Sequence, residues 1–363
     1  MKVGMMGGWN TGSGASIHAE FIGREWIKKG VELSVFSFYD YSFHGKVFTK
    51  SPDKEESYVT RCFTKYGYPE PKLDTSAILE QDFEIFVVQD LGMLPISRLA
   101  SIFPEIKKRA RTVNIIHDGE LSKKTGFFNF DWDHVVCFDT RYYEFLKKAY
   151  PENLLSIIPY PAAPLMRGNR IKARERLDLP QDKKIIFIFG QAAEKAARIY
   201  PVLNKLSEKY DIFLMVVSKI EKTINAFKDI ASDIRFQLKI IEEAPGMNGL
   251  YEYLHSADCT IYNKRSEPVV VVASSIFQCL GSDCPVIALN SNFVDFFENE
   301  IIKYKDEYEL ESSIIDVFEK GDKYQKQQKA LEEYLKNNSS SVVAGKFLEL
   351  FKKLREENGL KKI

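Results

Sequence analysis

Two doubly wound α/β domains in one chain are what this sequence predicts, on three observations. Short apolar runs alternate with amphipathic helical stretches along the chain, as expected of strands covered on both faces by helices. The alternation breaks at PYPAAP (159–164) and then restarts. With 363 residues the chain exceeds one ordinary core and suits two.

In the first half the expected strands are KVGMM (2–6), ELSVFSF (32–38), FEIFVVQ (83–89), TVNIIH (112–117), HVVCF (134–138) and LSIIPY (155–160). The helix after the first strand runs through IHAEFIGREWIKKG, with Ile17, Phe21 and Ile22 at helical spacing and Gly30 as its stop. A polar helix, RIKARERLDLP, follows the break, which lies near 160–172. The second half then reads as KKIIFIFG (183–190) strand, EKAARIYPVLNKLSEKY helix, IFLMVVS (212–218) strand and RFQLKII (235–241) strand. GLYEYLHSAD (249–258) reads as helix, CTIYN as strand, and PVIALN (285–290) as the last strand. Val343, Phe347, Leu350, Phe351 and Leu354 share one face of a closing helix, with lysines and glutamates opposite. That mixed charge favours a docked structural helix over one lying on a membrane.

Composition excludes several classes. Lys plus Arg equal Asp plus Glu at 51 each, which gives the whole chain no electrostatic case for a nucleic-acid polymer. Five scattered cysteines without a C-x-x-C pair read as reduced thiols of a cytoplasmic protein. No run approaches the roughly 20 apolar residues of a membrane span. The basic residues Lys107, Lys108, Arg109, Arg111, Lys123 and Lys124 leave room for peripheral membrane contact, with solvated helix charge the blander reading.

The stretch GGWNTGSGASIH (7–18) follows the first strand and opens a helix. As a dinucleotide fingerprint it places Gly12 and Gly14 but has Ile17 where the third glycine belongs, and Asp40 is a poor acidic partner. As a Walker loop it has Ser13 and Gly14 where Lys and Ser/Thr are needed. What remains is a turn that lets backbone N–H groups approach an anionic or polyhydroxylated ligand. Asp131-Trp132-Asp133 has a D-x-D form but precedes a strand, the histidines lack zinc spacing, and no G-x-S-x-G is present. No metal site is expected.

Taken together, GSGASIHAEFIGREWIKKGVELSVFSF, IIHDGE (115–120), DHVVCFDTRYYEFLKKAY with IIPYPAAP, IFIFGQAAEKAARIYPVL, GLYEYLHSADCTIYNKRSEP and CPVIALNS fall in a familiar order. The chain resembles glycosyltransferases of the GT-B fold, in the retaining clan that includes glycogen synthase and sucrose-phosphate synthase. The resemblance implies two Rossmann-like domains facing across a cleft, 1–165 on the acceptor side and 166–340 for the nucleotide sugar. It also implies that the last helix, 341–363, returns to the first domain.

The implied activity is transfer of a hexose from a UDP- or GDP-sugar to the hydroxyl of a small-molecule, glycan or lipid-linked acceptor, with retention and without cofactor or metal. Gly12 and Gly14 match the family's first-domain loop, and His117 matches the histidine beside the transferred sugar. Gly190 ends the donor-phosphate strand and Lys195 matches the lysine on the diphosphate. Gln191 stands where the family has arginine, and Arg198 is the alternative source of that charge. Glu267 matches the glutamate on the sugar hydroxyls. Ser275 stands where a second glutamate binds ribose, with Gln278 as the alternative partner. These departures also admit a decayed donor site in a sugar-binding or partner subunit.

Overall fold

The computed structural model describes residues 1–39, 42–43, 46–47, 55–65, 70–190 and 193–356. It divides into two compact units, one of Met1–Pro161, Val269–Val271 and Ser340–Ile363, the other of Ala162–Pro268 and Val272–Ser339.

The first unit is built on β1 (Lys2–Met6), β2 (Glu32–Phe38), β5 (Val59–Phe63), β6 (Ile85–Gln89), β7 (Arg111–Ile115), β8 (His134–Cys137) and β9 (Leu155–Ile157), with a short antiparallel pair β3 (Ser42–Phe43) and β4 (Lys46–Val47) apart from the main sheet. The seven-stranded sheet has the order β5-β2-β1-β6-β7-β8-β9, and all its pairings are parallel. All residues of β6 are buried, because a parallel sheet is covered on both faces and its central strands can be apolar throughout. Its helices are α1 (Gly14–Lys28), α2 (Ser76–Leu79), α3 (Ile96–Arg109) and α4 (Thr140–Leu146).

The second unit repeats the plan. Its strands β10 (Lys184–Phe189), β11 (Ile212–Val217), β12 (Gln237–Ile241), β13 (Cys259–Tyr262), β14 (Val286–Leu289) and β15 (Ile302–Tyr304) form a six-stranded parallel sheet, order β12-β11-β10-β13-β14-β15. The helices are α5 (Arg170–Arg176), α6 (Tyr200–Leu206), α7 (Glu221–Asp229), α8 (Met247–Ser256), α9 (Ser274–Cys279), α10 (Glu307–Glu319) and α11 (Asp322–Asn338). Ile186, Ile188, Leu203, Val216, Phe227 and Ile314 lie in its core. A buried pair fastens the amino edge of this sheet: the Arg174 guanidinium meets Asp258 at 2.8 Å, and the same carboxylate accepts the Ile185 N–H at 2.7 Å.

The closing helix α12 (Ser340–Glu356) belongs to the first unit. Its apolar face covers α1: the Trp26 indole donates to the Ala344 carbonyl at 3.2 Å, and Trp26 lies 5.8 and 5.2 Å from the rings of Phe347 and Phe351. Val343, Phe347 and Phe351 are fully buried.

Three sequence expectations are corrected. The strand 285–290 is not the last: β15 follows and pairs with β14. A further strand, β5, closes the outer edge beside β2. The helix after the glycine-rich loop starts at Gly14, three residues early, because Ser13 caps it by accepting the Ser16 N–H at 3.1 Å.

Candidate functional site

In each sheet the strand order reverses beside the first strand, at β1 and β6 in one unit and at β10 and β13 in the other. Open α/β sheets bind ligands outside the carboxyl ends of the strands at such switch points.

In the first unit β1 runs into the glycine-rich loop. A side chain at Gly7 would place its Cβ 2.6 Å from the Gln89 Cβ, so glycine here lets β1 and β6 close on each other. Asn10 (φ 55°) and Gly12 (φ 69°) take the left-handed conformation that turns the loop back. Several loop N–H groups are already bonded within the unit: Gly7 to the Phe36 carbonyl, Asn10 to Glu20 Oε1 and Thr11 to Ser16 Oγ. Gly14 opens α1, and its carbonyl accepts the Tyr160 hydroxyl at 2.7 Å. Gly12 and Gly14 thus lie at the edge where a ligand would approach.

Beneath the loop, two imidazoles converge on one amide. His18 Nδ1 is 3.1 Å and His117 Nε2 3.0 Å from Gln89 Oε1, with the two rings edge to face at 5.2 Å. His18 and Gln89 are fully buried, whereas His117, just past the end of β7, is half-buried. Burial lowers the His18 pKa to about 3 against the raising effect of Gln89. Burial, with the neighbouring His18 adding to it, holds His117 well below the usual histidine range. Both rings are neutral at pH 7. His117 can therefore offer a ligand a lone pair or its backbone carbonyl, but not a positive charge.

One residue further along each strand end lies a carboxylate. Asp90 adopts a left-handed conformation (φ 59°), and its Oδ1 is buried without a hydrogen-bond partner among the described residues. A Cβ on Gly92 would lie 3.2 Å from Asp90 Oδ1 and 2.8 Å from Asp118 Oδ2, so the two carboxyls flank that glycine. Burial and then Asp118 push the Asp90 carboxyl up to about 7, against the pull of Lys124. Burial also raises Asp118. Lys124 Nζ donates to the Gly92 carbonyl at 3.1 Å.

In the second unit β10 is followed directly by Gly190, whose φ of 99° favours glycine. Lys195 lies in the 3-10 turn Ala193–Ile199 that follows. Asn263 fixes this turn, donating to the Lys195 carbonyl at 2.9 Å while its own oxygen accepts the Tyr304 hydroxyl at 2.9 Å. Lys195 Nζ lies 4.0 Å from Glu267 Oε1, and both side chains are solvent-accessible. Asn292 holds Glu267 by its backbone, accepting its N–H at 3.1 Å and donating to its carbonyl at 2.8 Å.

Ser275 lies across from Gly190, 3.5 Å from where a Cβ would be. Lys264 stacks over Phe293, 4.8 Å from the ring centroid, and burial followed by Lys195 repulsion lowers its pKa. Two ammonium groups, a carboxylate and a hydroxyl thus surround the carboxyl ends of β10 and β13.

The remaining predicted residues fall as follows. Arg198 is exposed one turn beyond Lys195. Gln278 donates along α9 to the Ser274 carbonyl at 3.4 Å. Gln191 lies outside the described residues, as does Asp40. Asp133 is at the amino edge of the first sheet, where it accepts from the Thr112 N–H and hydroxyl and pairs with Arg111, all at 2.8 Å. The D-x-D segment is therefore spent on joining β7 to β8.

The basic residues considered for membrane contact are also partnered: Lys107 with Asp131, Lys108 with Glu105, Arg111 with Asp133 and Lys123 with Glu120, while Arg109 donates to the Leu79 carbonyl. Among the described residues no helix is long and apolar enough to cross a membrane, and no His, Cys, Asp and Glu side chains group as metal ligands. All five cysteines are buried and unpaired.

Sequence reasoning passed over Lys264, Gln89, Asp90 and Asp118. Lys264 had a signal, three residues before Glu267 in NKRSEP. The role of Gln89 had none, since its partners are 71 and 28 residues away.

No family model matches the sequence. Solved structures match along the whole chain. A glycosyltransferase from Rickettsia africae has a TM-score of 0.71 at 17% identity, over 98% of this chain and 99% of that one. Sucrose-phosphate synthase from Thermosynechococcus elongatus has a TM-score of 0.66 at 12% identity, over 99% and 100%. An alpha-glucosyltransferase in complex with UDP-glucose and DNA containing an abasic site has a TM-score of 0.63 at 12% identity, over 97% and 98%. The chain has the GT-B fold, two Rossmann-like units, at identities that carry the fold alone.

Proposed function

We propose that this chain is a glycosyltransferase that moves a hexose from a nucleoside-diphosphate sugar, UDP or GDP, to an acceptor hydroxyl, using neither metal nor cofactor. The observation that carries the reading is the cluster at the carboxyl ends of β10 and β13. Lys195 and Lys264 are close enough that their charges repel, and the nearby carboxylates of Glu267 and Glu194, the latter paired with Lys222, pull against that repulsion while the Lys264 pKa still lies below its ordinary value. A diphosphate would relieve that repulsion and take charge-assisted hydrogen bonds from both. Glu267 would then accept from sugar hydroxyls, and the Ser275 hydroxyl would meet the ribose. The GT-B fold, and a neighbour of that fold solved in complex with UDP-glucose, support the donor class.

In this reading the bond from the anomeric carbon to the terminal phosphate oxygen breaks. The acceptor oxygen bonds on the same face, and its proton passes to the departing phosphate. The lysines stabilise the charge developing on that phosphate. Neutral His117 offers electron density to the oxocarbenium-like sugar.

Thermal-shift and transfer assays with a panel of UDP- and GDP-sugars and varied acceptors test the proposal, since a competent donor site stabilises the fold by mass action. Absence of both stabilisation and transfer across the panel would sink it. Ser275, in place of a carboxylate, favours one second reading: a subunit that binds nucleotide or sugar without turnover. Stabilisation by UDP or GDP without transfer selects that reading.

A further inference from the structure

The amide of Gln89 does something the glycosyl-transfer reading does not require. It is fully buried at the end of β6, and its Oε1 lies within hydrogen-bond distance of two rings from different elements, His18 on α1 and His117 beyond β7. A carbonyl oxygen only accepts, so each ring nitrogen facing it must carry a proton. That assigns His18 the Nδ1–H form and His117 the Nε2–H form. His117 Nδ1 is then a bare lone pair, and it has no hydrogen-bond partner among the described residues.

We propose that Gln89 is a positioning residue which locks His117 as its Nε2–H tautomer, so that the half-buried ring meets its ligand through Nδ1 as an acceptor. The group it recognises is a hydrogen-bond donor, a neutral hydroxyl of the sugar or acceptor, and not a phosphate. Phosphate oxygens only accept at neutral pH and would find no proton there. This inference rests on the proposed glycosyl-transfer function for the identity of the ligand, but not for the tautomer.

Three features hold the arrangement. Gly7 packs against the Gln89 Cβ and backbone, which fixes where the amide starts. Phe138 lies 4.9 Å from His117 and 5.2 Å from His18, and Phe347 and Tyr160 close the far side of His18. The titratable groups around the pair are His18, Tyr160, Asp118 next to His117, Asp90 next to Gln89, and Lys124 beside Gly92. None of these is hydrogen-bonded to the His117 ring among the described residues, so the amide is what sets its tautomer.

The test reads the ring directly. In the full-length protein labelled with 15N-histidine, long-range proton–nitrogen spectra should show His117 neutral and protonated on Nε2 at pH 7. Gln89→Leu should lose that pattern, with kcat falling by up to about a hundredfold because a displaced reacting group costs that much, while KM for the donor changes little. Gln89→Glu keeps an acceptor for both rings and adds a charge, so it should retain the Nε2–H pattern and bring a histidine titration into the pH 5–8 window. A wild-type His117 protonated on Nδ1, or an Nε2–H pattern that persists unchanged in Gln89→Leu, overturns the inference. If the tautomer is as stated but no nucleotide sugar binds, the positioning role stands and the functional reading falls.

Discussion

Replacing Gly7 by alanine tests whether β1 and β6 converge at the site as described. An added Cβ would lie 2.6 Å from the Gln89 Cβ and 3.1 Å from the Gln89 carbonyl oxygen. Carbon atoms in contact sit about 3.5–4.0 Å apart, so something must give by about 1 Å. Neither partner yields easily: Gly7 is tied to β2 through the Phe36 carbonyl, and β6 is buried on both faces and bonded to β1 and β7. Overpacking of this kind costs about 1–3 kcal/mol. For a unit of this size that lowers the melting temperature by about 2–12 °C.

The left-handed region plays no part here, because Gly7 is not among the positive-φ glycines. Gly30→Ala is the matching control: its φ is 82° but nothing lies within 4 Å of the new Cβ. That change costs about 1 kcal/mol of backbone strain and leaves Gln89 alone. Differential scanning fluorimetry gives the melting shifts, and histidine NMR reports whether His18 and His117 move. Gly7→Ala should shift both ring signals and Gly30→Ala neither. A Gly7→Ala protein that melts with wild type and leaves both rings unshifted would refute the reasoning.

Three further outcomes are expected. Lys195→Ala and Lys264→Ala should each weaken UDP or GDP binding about ten- to hundredfold by calorimetry, the loss of one charge-assisted bond. Equal affinity in Lys264→Ala would remove that residue from the donor site. Asp90 binds its proton more tightly folded than unfolded, its carboxyl being raised from 3.8 to about 7, so its contribution is full below pH 4 and lost as pH rises toward 7. The melting temperature of Asp90→Asn should therefore gain on wild type between pH 4 and 7. His18, depressed to about 3, works oppositely and loses its contribution as pH falls below 6.5, which makes the variant-minus-wild-type difference the proper readout. Finally, Arg174→Met should cost the second unit about 1–3 kcal/mol in urea melts, since it leaves the buried carbonyls of Ser256 and Lys183 without this donor and Asp258 with Arg170, at 2.8 Å, as its one guanidinium partner. A loss under about 0.5 kcal/mol would show that the bonds Arg174 makes here are replaced on its removal.

The parallel strands in the middle of each sheet were legible because central parallel strands are continuous apolar runs, as in IFVVQ and IFLMVV. The edges were not. In VTRCF, Arg61 interrupts the run, and its guanidinium turns back to pair with Glu55 and bond the Trp9 carbonyl. IKY is three residues, too short to carry a period. Much the same divides the site. Gly190 could be read from its place after an apolar strand. The reason for Gly7 could not, because it is a contact with Gln89, 82 residues away. Nor does any local pattern mark Asp90 and Asp118, which become neighbours only when β6 and β7 align.

The membership of α12 in the first unit sets an order in time. Trp26 and the face of α1 around it are made before the second unit, yet the helix that covers them is made after it. Residues 162–339 must be synthesised in between, which at about 5–20 residues per second takes about 10–40 seconds. Throughout that interval the first unit can pair its strands but has a bare aromatic flank, while the second, contiguous apart from three residues, is free to fold as it emerges. The half of the chain that starts first is thus the one that finishes second.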